Sequence, residues 1–224
     1  MEFTLLWAAI TAVVLGWLGL RIWSENLPDR AADRLVAATL IGLAAGRITA
    51  MVSQGINPLA HPADLVIIRG GVDTGAAVLG FLITLVWSTR SSPISIDAMA
   101  PAVLLALSGW HAGCLWRDAC LGTVSGLPWA WALQGGSVTR HPVEIYAALA
   151  LVAAAWAVSR LGWRTWLRFG TALALASLVR WVSESLRPSI DGGPTGWYLA
   201  GILTGVVIAT LGPRLTRRLV PDPT

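Results

Sequence analysis

Long apolar segments recur along this chain, and they restrict its possible folds more than any other feature of the sequence. A helix of roughly twenty apolar residues crosses about 30 Å of hydrocarbon. Seven such segments follow one another: residues 4–23, 34–53, 71–88, 94–116, 144–162, 166–185 and 196–213. With 55% hydrophobic and 12% charged residues, the chain has more apolar surface than a soluble domain can bury. We therefore predict an all-α membrane protein of about seven transmembrane helices, folded as a single domain over residues 1–224.

The positions of the arginines predict how these helices are oriented. All 16 basic residues are arginine, and the predicted segments place ten of them on the side of the C-terminus and four on the opposite side. The ten are Arg21, Arg30, Arg34, Arg90, Arg160, Arg164, Arg168, Arg214, Arg217 and Arg218, and the four are Arg69, Arg117, Arg140 and Arg187. Because cytoplasmic loops are rich in arginine and lysine, we predict that the N-terminus is outside and the C-terminus inside. No basic patch is interleaved with exposed aromatic residues, so we expect no nucleic-acid partner.

Charged residues within the apolar segments are the first candidates for a functional site, because a charge in hydrocarbon is unfavourable without a partner. Arg180, Glu184 and Arg187 have the spacing i, i+4, i+7, which places them on one face of a helix. One interpretation is a structural ion pair between two helices. The other is a phosphate site, in which two arginines surround one carboxylate that orients a guanidinium. Arg47 in the second segment has no charged partner nearby in the sequence.

A second polar cluster lies at the start of the fifth segment, after a longer loop over residues 117–143. It consists of Arg140, His141, Pro142, Glu144 and Tyr146. Proline and glutamate are typical of a helix N-terminus, whose free amides also favour an anion. Helix capping explains Pro142 and Glu144 but does not explain adjacent arginine and histidine. We therefore predict that Arg140 and His141 contribute to a binding site.

A third cluster ends the fourth segment. His111 and Asp118 are seven residues apart, hence on one face if the helix continues that far, with Cys114 between them. The histidine is either a structural residue or part of a polar site, and Asp118 either pairs locally with Arg117 or joins that site. We interpret Cys114 and Cys120 as small buried packing residues. The alternative is a disulfide on the outer face, although a continuous helix would hold the two residues too far apart for it. No metal-ligand spacing or cofactor motif is present, and we expect neither group.

Several short motifs follow one another in a fixed order along the chain. They are Gly46–Arg47, Arg69–Gly70–Gly71, Asp97 to Pro101, Gly113 to Gly122, Leu127–Pro128–Trp129, Arg140–His141–Pro142 with Tyr146, and Arg180 with Glu184 and Arg187. In this order and spacing they resemble the motifs of the prolipoprotein diacylglyceryl transferase family. The resemblance implies seven spans in a bacterial inner membrane, with a polar site that opens to the outer leaflet.

The chain departs from this family's pattern at several positions. In the third segment, Gly75 or its neighbours stand where the family usually carries a histidine. His111 and Cys114 take the positions of an arginine and an asparagine, and Ala119 that of a glutamate. The first segment has no equivalent of the family's tyrosine. These departures favour a divergent member.

The resemblance implies transfer of a diacylglyceryl group from phosphatidylglycerol to the lipobox cysteine thiol of a prolipoprotein, with release of glycerol phosphate. Arg180 and Arg187 are then expected to bind the phosphate, Glu184 to orient Arg180, and His111 to accept the thiol proton. The expected substrate-binding residues are Arg47, Gly70, Gly71, Asp118, Gly122, Arg140, His141, Tyr146 and Arg187. Two alternatives remain: a diverged member that uses another acceptor, and a membrane protein that binds or transports lipid without chemistry.

Overall fold

Seven long helices and one short helix account for most of the described residues. The structure, a computed structural model, describes residues 3–23, 25–66, 71–92, 94–116, 120–132, 136–188 and 193–219. The helices are α1 (Phe3–Ile22), α2 (Ala31–Ser53), α3 (Ala63–Val66), α4 (Thr74–Ser88), α5 (Ile94–Ala112), α6 (Val143–Ser159), α7 (Leu167–Glu184) and α8 (Thr195–Leu219). Each predicted apolar segment thus overlaps one long helix.

The lengths and compositions of these helices fit a membrane protein. Among the described residues, three helices are long and apolar enough to cross a membrane: Ala31–Ser53, Ile94–Ala112 and Thr195–Leu215. Three shorter apolar helices are Trp7–Ile22, Thr74–Ser88 and Val143–Ser159. The predicted all-α membrane fold is therefore supported, whereas seven spans and the outside N-terminus stay predictions.

The contacts divide the chain into two compact units. One unit comprises Met1–Leu27 and Asp97–Thr224, and the other comprises Pro28–Ile96. The smaller unit pairs α2 with α4, and the larger unit contains α1, most of α5, and α6 to α8. The single domain over residues 1–224 stays a prediction.

Small residues let α2 and α4 approach closely in the smaller unit. A Cβ added to Gly42 would lie 2.6 Å from the carbonyl oxygen of Ala77, so the two backbones are in contact there. Asp73 caps α4, because its carboxylate accepts a hydrogen bond from the Ala76 N–H at 2.7 Å. The helix therefore begins at Thr74, three residues later than the predicted segment.

A buried carboxylate joins α5 to α7 in the larger unit. Asp97 in the first turn of α5 is fully buried. Its carboxylate accepts hydrogen bonds from the N–H groups of Trp166 at 2.5 Å and Phe169 at 2.8 Å. These N–H groups lie at the start of α7, where a helix cannot satisfy its own donors. Asp97 thus holds the beginning of α7, which carries two of the predicted site residues.

The connection between α5 and α6 has structure of its own. The α-helix ends at Ala112 and not at residue 116, because Gly113–Trp116 forms a 3₁₀ turn. Farther along, β1 (Trp131–Ala132) pairs antiparallel with β2 (Thr139–Arg140), and Val124 forms a further bridge with Arg140. The predicted loop therefore contains a small β-hairpin that ends where α6 begins.

A disulfide joins Cys114 to Cys120, with their Cα atoms 5.9 Å apart. The interpretation of these cysteines as packing residues is wrong. It assumed a continuous helix, whereas the helix ends at Ala112 and the following turn brings the two residues together. The 3₁₀ turn after α5 is thus covalently attached to the start of the segment that leads to the two strands.

This disulfide predicts which side of the membrane the connection faces. Disulfides form and persist outside the cytoplasm, so Cys114 and Cys120 are expected in the outer compartment, in agreement with the arginine distribution. The measurement is labelling of intact cells with a membrane-impermeant maleimide, before and after a membrane-impermeant reductant. Both thiols should be labelled only after reduction. Labelling that requires lysis of the plasma membrane would contradict the predicted orientation.

Candidate functional site

A buried glutamate lies between a histidine and an arginine where α5 ends, α6 begins and α7 has just ended. His111 Nδ1 contacts Glu144 Oε2, and Arg187 Nη2 contacts Glu144 Oε1. His111 and Glu144 are only 5% and 6% exposed. A buried carboxylate is stable only when it is paired and hydrogen-bonded, and here both of its oxygens have a partner. The carboxylate therefore holds both the imidazole and the guanidinium in place.

A second ion pair lies on the last turns of α7. Arg180 Nη2 is 3.9 Å from Glu184 Oε2. Tyr198 of α8 joins the two, because its hydroxyl accepts a hydrogen bond from Arg180 Nη2 at 3.2 Å and donates one to Glu184 Oε2 at 3.4 Å. Glu184 is buried, whereas the Arg180 side chain is 23% exposed. Arg180 is thus oriented from two sides and still accessible to a ligand.

The two ion pairs belong to one cluster. The backbone N–H of Arg187 donates to the carbonyl of Glu184 at 3.0 Å. Arg187 and His111 contact the same carboxylate, that of Glu144. The prediction that two arginines surround one carboxylate is corrected in one respect: α7 ends at Glu184, and Arg187 turns away to pair with Glu144. Two carboxylates therefore serve the two arginines.

Backbone hydrogen bonds attach the Arg140–His141 segment to this cluster. The Gly122 N–H donates to the His141 carbonyl at 2.7 Å, and the His141 N–H donates to the Thr123 carbonyl at 3.0 Å. The Thr123 N–H donates to the carbonyl of Leu186 at 2.8 Å, in the turn after α7. A Cβ on Gly122 would clash with that same carbonyl oxygen, so only glycine allows this approach. Arg140 Nη1 donates to the Gly122 carbonyl at 3.2 Å.

Positive charge exceeds negative charge among the described residues of the cluster. Glu144 and Glu184 pair with Arg187 and Arg180, while no carboxylate among the described residues pairs with Arg140. In the same part of the chain, Arg187 Nε and His141 Nδ1 are buried without a hydrogen-bond partner. Buried polar atoms are normally satisfied, so these two can serve a ligand. The cluster is suited to an anion such as a phosphate.

Two aromatic residues, Tyr146 and Trp129, lie near His141, which precedes α6. Tyr146 contacts the His141 ring edge-on, with ring centroids 6.2 Å apart. The Trp129 indole N–H donates to the Tyr146 hydroxyl at 2.8 Å. The predicted residue Tyr146 therefore lies next to His141 and connects it to the hairpin.

Four of the predicted site residues belong to the smaller unit or are outside the described residues: Arg47, Gly70, Gly71 and Asp118. Arg47 is buried in the smaller unit, where it donates to the carbonyls of Asp64 at 2.8 Å and Gly71 at 3.0 Å. Among the described residues, these backbone carbonyls are the partners of the Arg47 guanidinium, and no acidic side chain there forms an ion pair with it. Gly70 and Asp118 lie outside the described residues. A role for these four residues in the site stays a prediction.

Two residues of the cluster were missed by sequence reasoning. Glu144 was interpreted as a helix-capping residue, but its carboxylate contacts His111 and Arg187. Tyr198 carried no motif, although it is one of only two tyrosines in the chain, and both make side-chain hydrogen bonds near the site. Two features of the sequence could have indicated them: tyrosine is scarce, and an acidic residue stands at the start of an apolar segment.

A known protein family matches the chain over most of its length. The family model described as prolipoprotein diacylglyceryl transferase matches residues 3–214. No curated protein matches the chain. The matched range begins with α1, ends within α8 and contains every residue of the cluster.

Proposed function

Since the chain belongs to the prolipoprotein diacylglyceryl transferase family, we propose that it transfers a diacylglyceryl group from phosphatidylglycerol to the lipobox cysteine of a prolipoprotein. The family consists of integral membrane transferases that act in lipoprotein biosynthesis. One observation supports this specific reaction most directly. Glu144 contacts both His111 and Arg187, beside the ion pair of Arg180 and Glu184. The cluster combines a base for a thiol with cations for a phosphate.

The proposed reaction is a displacement at carbon. The thiol sulfur forms a bond to the glyceryl carbon of the donor, and the bond from that carbon to the phosphate oxygen breaks. Glycerol phosphate leaves with the electron pair of the broken bond, and the thiol proton passes to a base. The thiolate is the effective nucleophile, because a free thiol has a pKa of about 8.5. The site must therefore remove a proton and stabilise a departing phosphate.

Arg180 is the proposed ligand of the departing phosphate. Glu184 and Tyr198 hold its guanidinium in a fixed orientation, so little reorganisation is needed when negative charge develops on the leaving oxygen. Arg187 offers its buried Nε, and Arg140 adds a charge without an acidic partner among the described residues. A planar guanidinium fork matches the oxygens of a phosphate.

His111 is the proposed base. Glu144 occupies Nδ1, and a carboxylate in this position favours the tautomer whose Nε2 accepts a proton. The same carboxylate stabilises the imidazolium that forms, as an orienting acid does in other nucleophilic sites. Proton exchange with a thiol therefore proceeds through Nε2. Arg187 contacts the second carboxylate oxygen and supplies a counter-charge to Glu144 in this role.

The membrane setting of the proposal follows from the same residues. We propose a bacterial plasma membrane as the location, with seven spans, the N-terminus outside and the cluster toward the outer leaflet. The arginine distribution and the disulfide near His111 support this orientation. Phosphatidylglycerol then reaches the site from the membrane, and the signal-peptide lipobox reaches it from the outer face.

A second candidate is a family member that uses another acceptor. Cys114 stands where the family resemblance expects an asparagine, and the disulfide with Cys120 removes its thiol from any contact with substrate. The site therefore lacks an amide at this position. Such a protein would keep the phosphate-binding arginines and release glycerol phosphate with an acceptor other than the lipobox thiol.

The test uses purified protein in phosphatidylglycerol nanodiscs with two synthetic lipobox peptides, one with cysteine and one with serine at the acceptor position. The proposal predicts glycerol phosphate release and a peptide mass gain of one diacylglyceryl group with cysteine only. If no glycerol phosphate is released with either peptide, the proposal is overturned and a lipid-binding protein is favoured. Release that does not depend on the cysteine peptide would favour the second candidate.

Gly193→Ala is expected to lower the transfer rate at least about tenfold. Gly193 has a φ of +70°, and an added Cβ would clash with Glu184 Oε1. The methyl group would therefore displace the carboxylate that orients Arg180. The matched control is Gly196→Ala on α8, because no atom lies within 4 Å of its added Cβ. Equal rates for the two variants would show that the position of Glu184 does not matter.

A further inference from the structure

The connection between α5 and α6 exposes apolar side chains where a loop in water would expose polar ones. We define the tryptophan hairpin as the described residues 120–132 and 136–140. Trp129 and Trp131 are 59% and 47% exposed. Val124, Leu127 and Val138 are exposed as well. The sequence from Cys120 to Thr139 contains no charged residue, although the chain has 28 charged residues elsewhere. Loops in contact with water are usually polar, so this segment requires another environment.

The tryptophan hairpin is ordered by its own hydrogen bonds. Trp131 of β1 pairs with Arg140 of β2. The Ser125 N–H donates to the Thr139 carbonyl at 2.9 Å, and the Thr139 hydroxyl donates to the Ser125 carbonyl at 2.6 Å. The exposed apolar side chains are therefore held on a defined ribbon. These side chains are therefore exposed on a hydrogen-bonded backbone and not on an irregular loop.

The tryptophan hairpin continues an apolar stripe of α6. Leu149, Val152 and Trp156 are exposed along one side of this helix, at spacings of three and four residues. Tyr146 lies one turn before Leu149, and its hydroxyl accepts the hydrogen bond from Trp129. Tyr146 therefore links the exposed side chains of α6 to the hairpin. In an integral membrane protein, an exposed apolar stripe on a long helix faces lipid.

We propose that the tryptophan hairpin lies in the head-group region of the bilayer, on the side where α5 ends and α6 begins. Tryptophan prefers this region, because indole combines a large apolar surface with one hydrogen-bond donor. The lack of charged residues from Cys120 to Thr139 is consistent with the same region of the bilayer. Since β2 carries Arg140, the hairpin fixes this guanidinium at the level of lipid phosphates. The consequence for catalysis rests on the proposed function, whereas the position in the bilayer does not.

The position is tested with a fluorophore attached to the hairpin. Gly126→Cys provides the attachment point, because no atom lies within 4 Å of an added Cβ there. The native cysteines are joined in a disulfide and do not react without a reductant. The labelled protein is reconstituted in vesicles of phosphatidylglycerol and phosphatidylethanolamine that carry spin labels either on the head group or deep in the acyl chain. Asp29→Cys, in the charged and exposed connection between α1 and α2, is the matched control.

The expected result is a blue-shifted emission at position 126 that head-group spin labels quench several-fold more than deep ones, with little quenching at position 29. Emission at position 126 as in water, without quenching by either lipid, would overturn the proposal. Quenching or a blue shift that appears only after a lipobox peptide is added would also overturn it, because the occupant of this surface would then be a peptide.

The catalytic consequence has a separate readout. Leu127→Ser combined with Trp131→Ser is expected to lower transfer from bilayer phosphatidylglycerol about tenfold and to leave transfer from a soluble short-chain phosphatidylglycerol unchanged. An equal loss with both donors would contradict a role in access from the bilayer. If position 126 is quenched at the head group but no form of the protein transfers lipid, the proposed function fails and the membrane position stands.

Discussion

Replacing Glu144 by alanine is expected to lower the transfer rate by at least about 100-fold, because general-base catalysis contributes roughly 10²–10⁴-fold. The variant removes the carboxylate that contacts both His111 and Arg187. The imidazole then loses the partner that selects its tautomer, and the guanidinium loses its buried counter-charge. The loss should appear in kcat more than in the KM for phosphatidylglycerol, because the carboxylate acts on the thiol proton.

The measurement is the rate of peptide lipidation per folded protein, with unfolding temperatures recorded in the same detergent. Removal of one partner from a buried ion pair destabilises a protein by about 3–5 kcal/mol, so a lower unfolding temperature is expected as well. Glu144→Gln keeps the size of the side chain and separates the loss of charge from the loss of packing. Glu25→Ala, at an exposed position, is the matched control and should be fully active. A Glu144→Ala rate within threefold of the original would contradict the assigned role.

Replacing Arg180 by alanine is expected to lower kcat/KM by about 10²–10³-fold, the usual effect of removing one preorganised donor from a developing negative charge. Lysine should restore little of this loss, because an ammonium cannot reproduce the planar fork held by Glu184 and Tyr198. Tyr198→Phe removes a hydroxyl that only positions Arg180, and its expected loss is about threefold to tenfold.

The control for these variants is another arginine on a long helical segment. Arg160 ends α6 at the opposite end from Glu144, where its guanidinium lies 5.2 Å from the centre of the Trp156 ring. Arg160→Ala should leave kcat/KM unchanged. If Arg180→Lys is as active as the original protein, the phosphate is bound elsewhere. If Arg160→Ala loses as much activity as Arg180→Ala, the loss reflects general damage to the fold.

The positions of the long helices were predictable, whereas their exact ends were less so. Apolar segments of about 20 residues are a local property of the sequence, and all seven overlap a long helix. The end of α5 was placed too late, because the apolar run continues past Ala112 while the helix does not. The same error hid the disulfide, since a helix would have kept Cys114 and Cys120 apart.

The charged residues of the site were predictable, but their partners were not. The i, i+4 spacing correctly paired Arg180 with Glu184, because that contact is made within one helix. Glu144 is 33 residues from His111 and 43 residues from Arg187, and such contacts depend on how the helices pack. Tyr198 was missed for the same reason, since it reaches Arg180 from the next helix.

The central claim is that the cluster around Arg180 and Glu144 transfers lipid to a thiol. The most direct test is transfer of a radiolabelled diacylglyceryl group from phosphatidylglycerol to a synthetic lipobox peptide, with Arg180→Ala measured in parallel. We predict labelled peptide with the original protein and almost none with the variant. No labelled peptide while phosphatidylglycerol remains bound, or equal labelling by the variant, would contradict the claim.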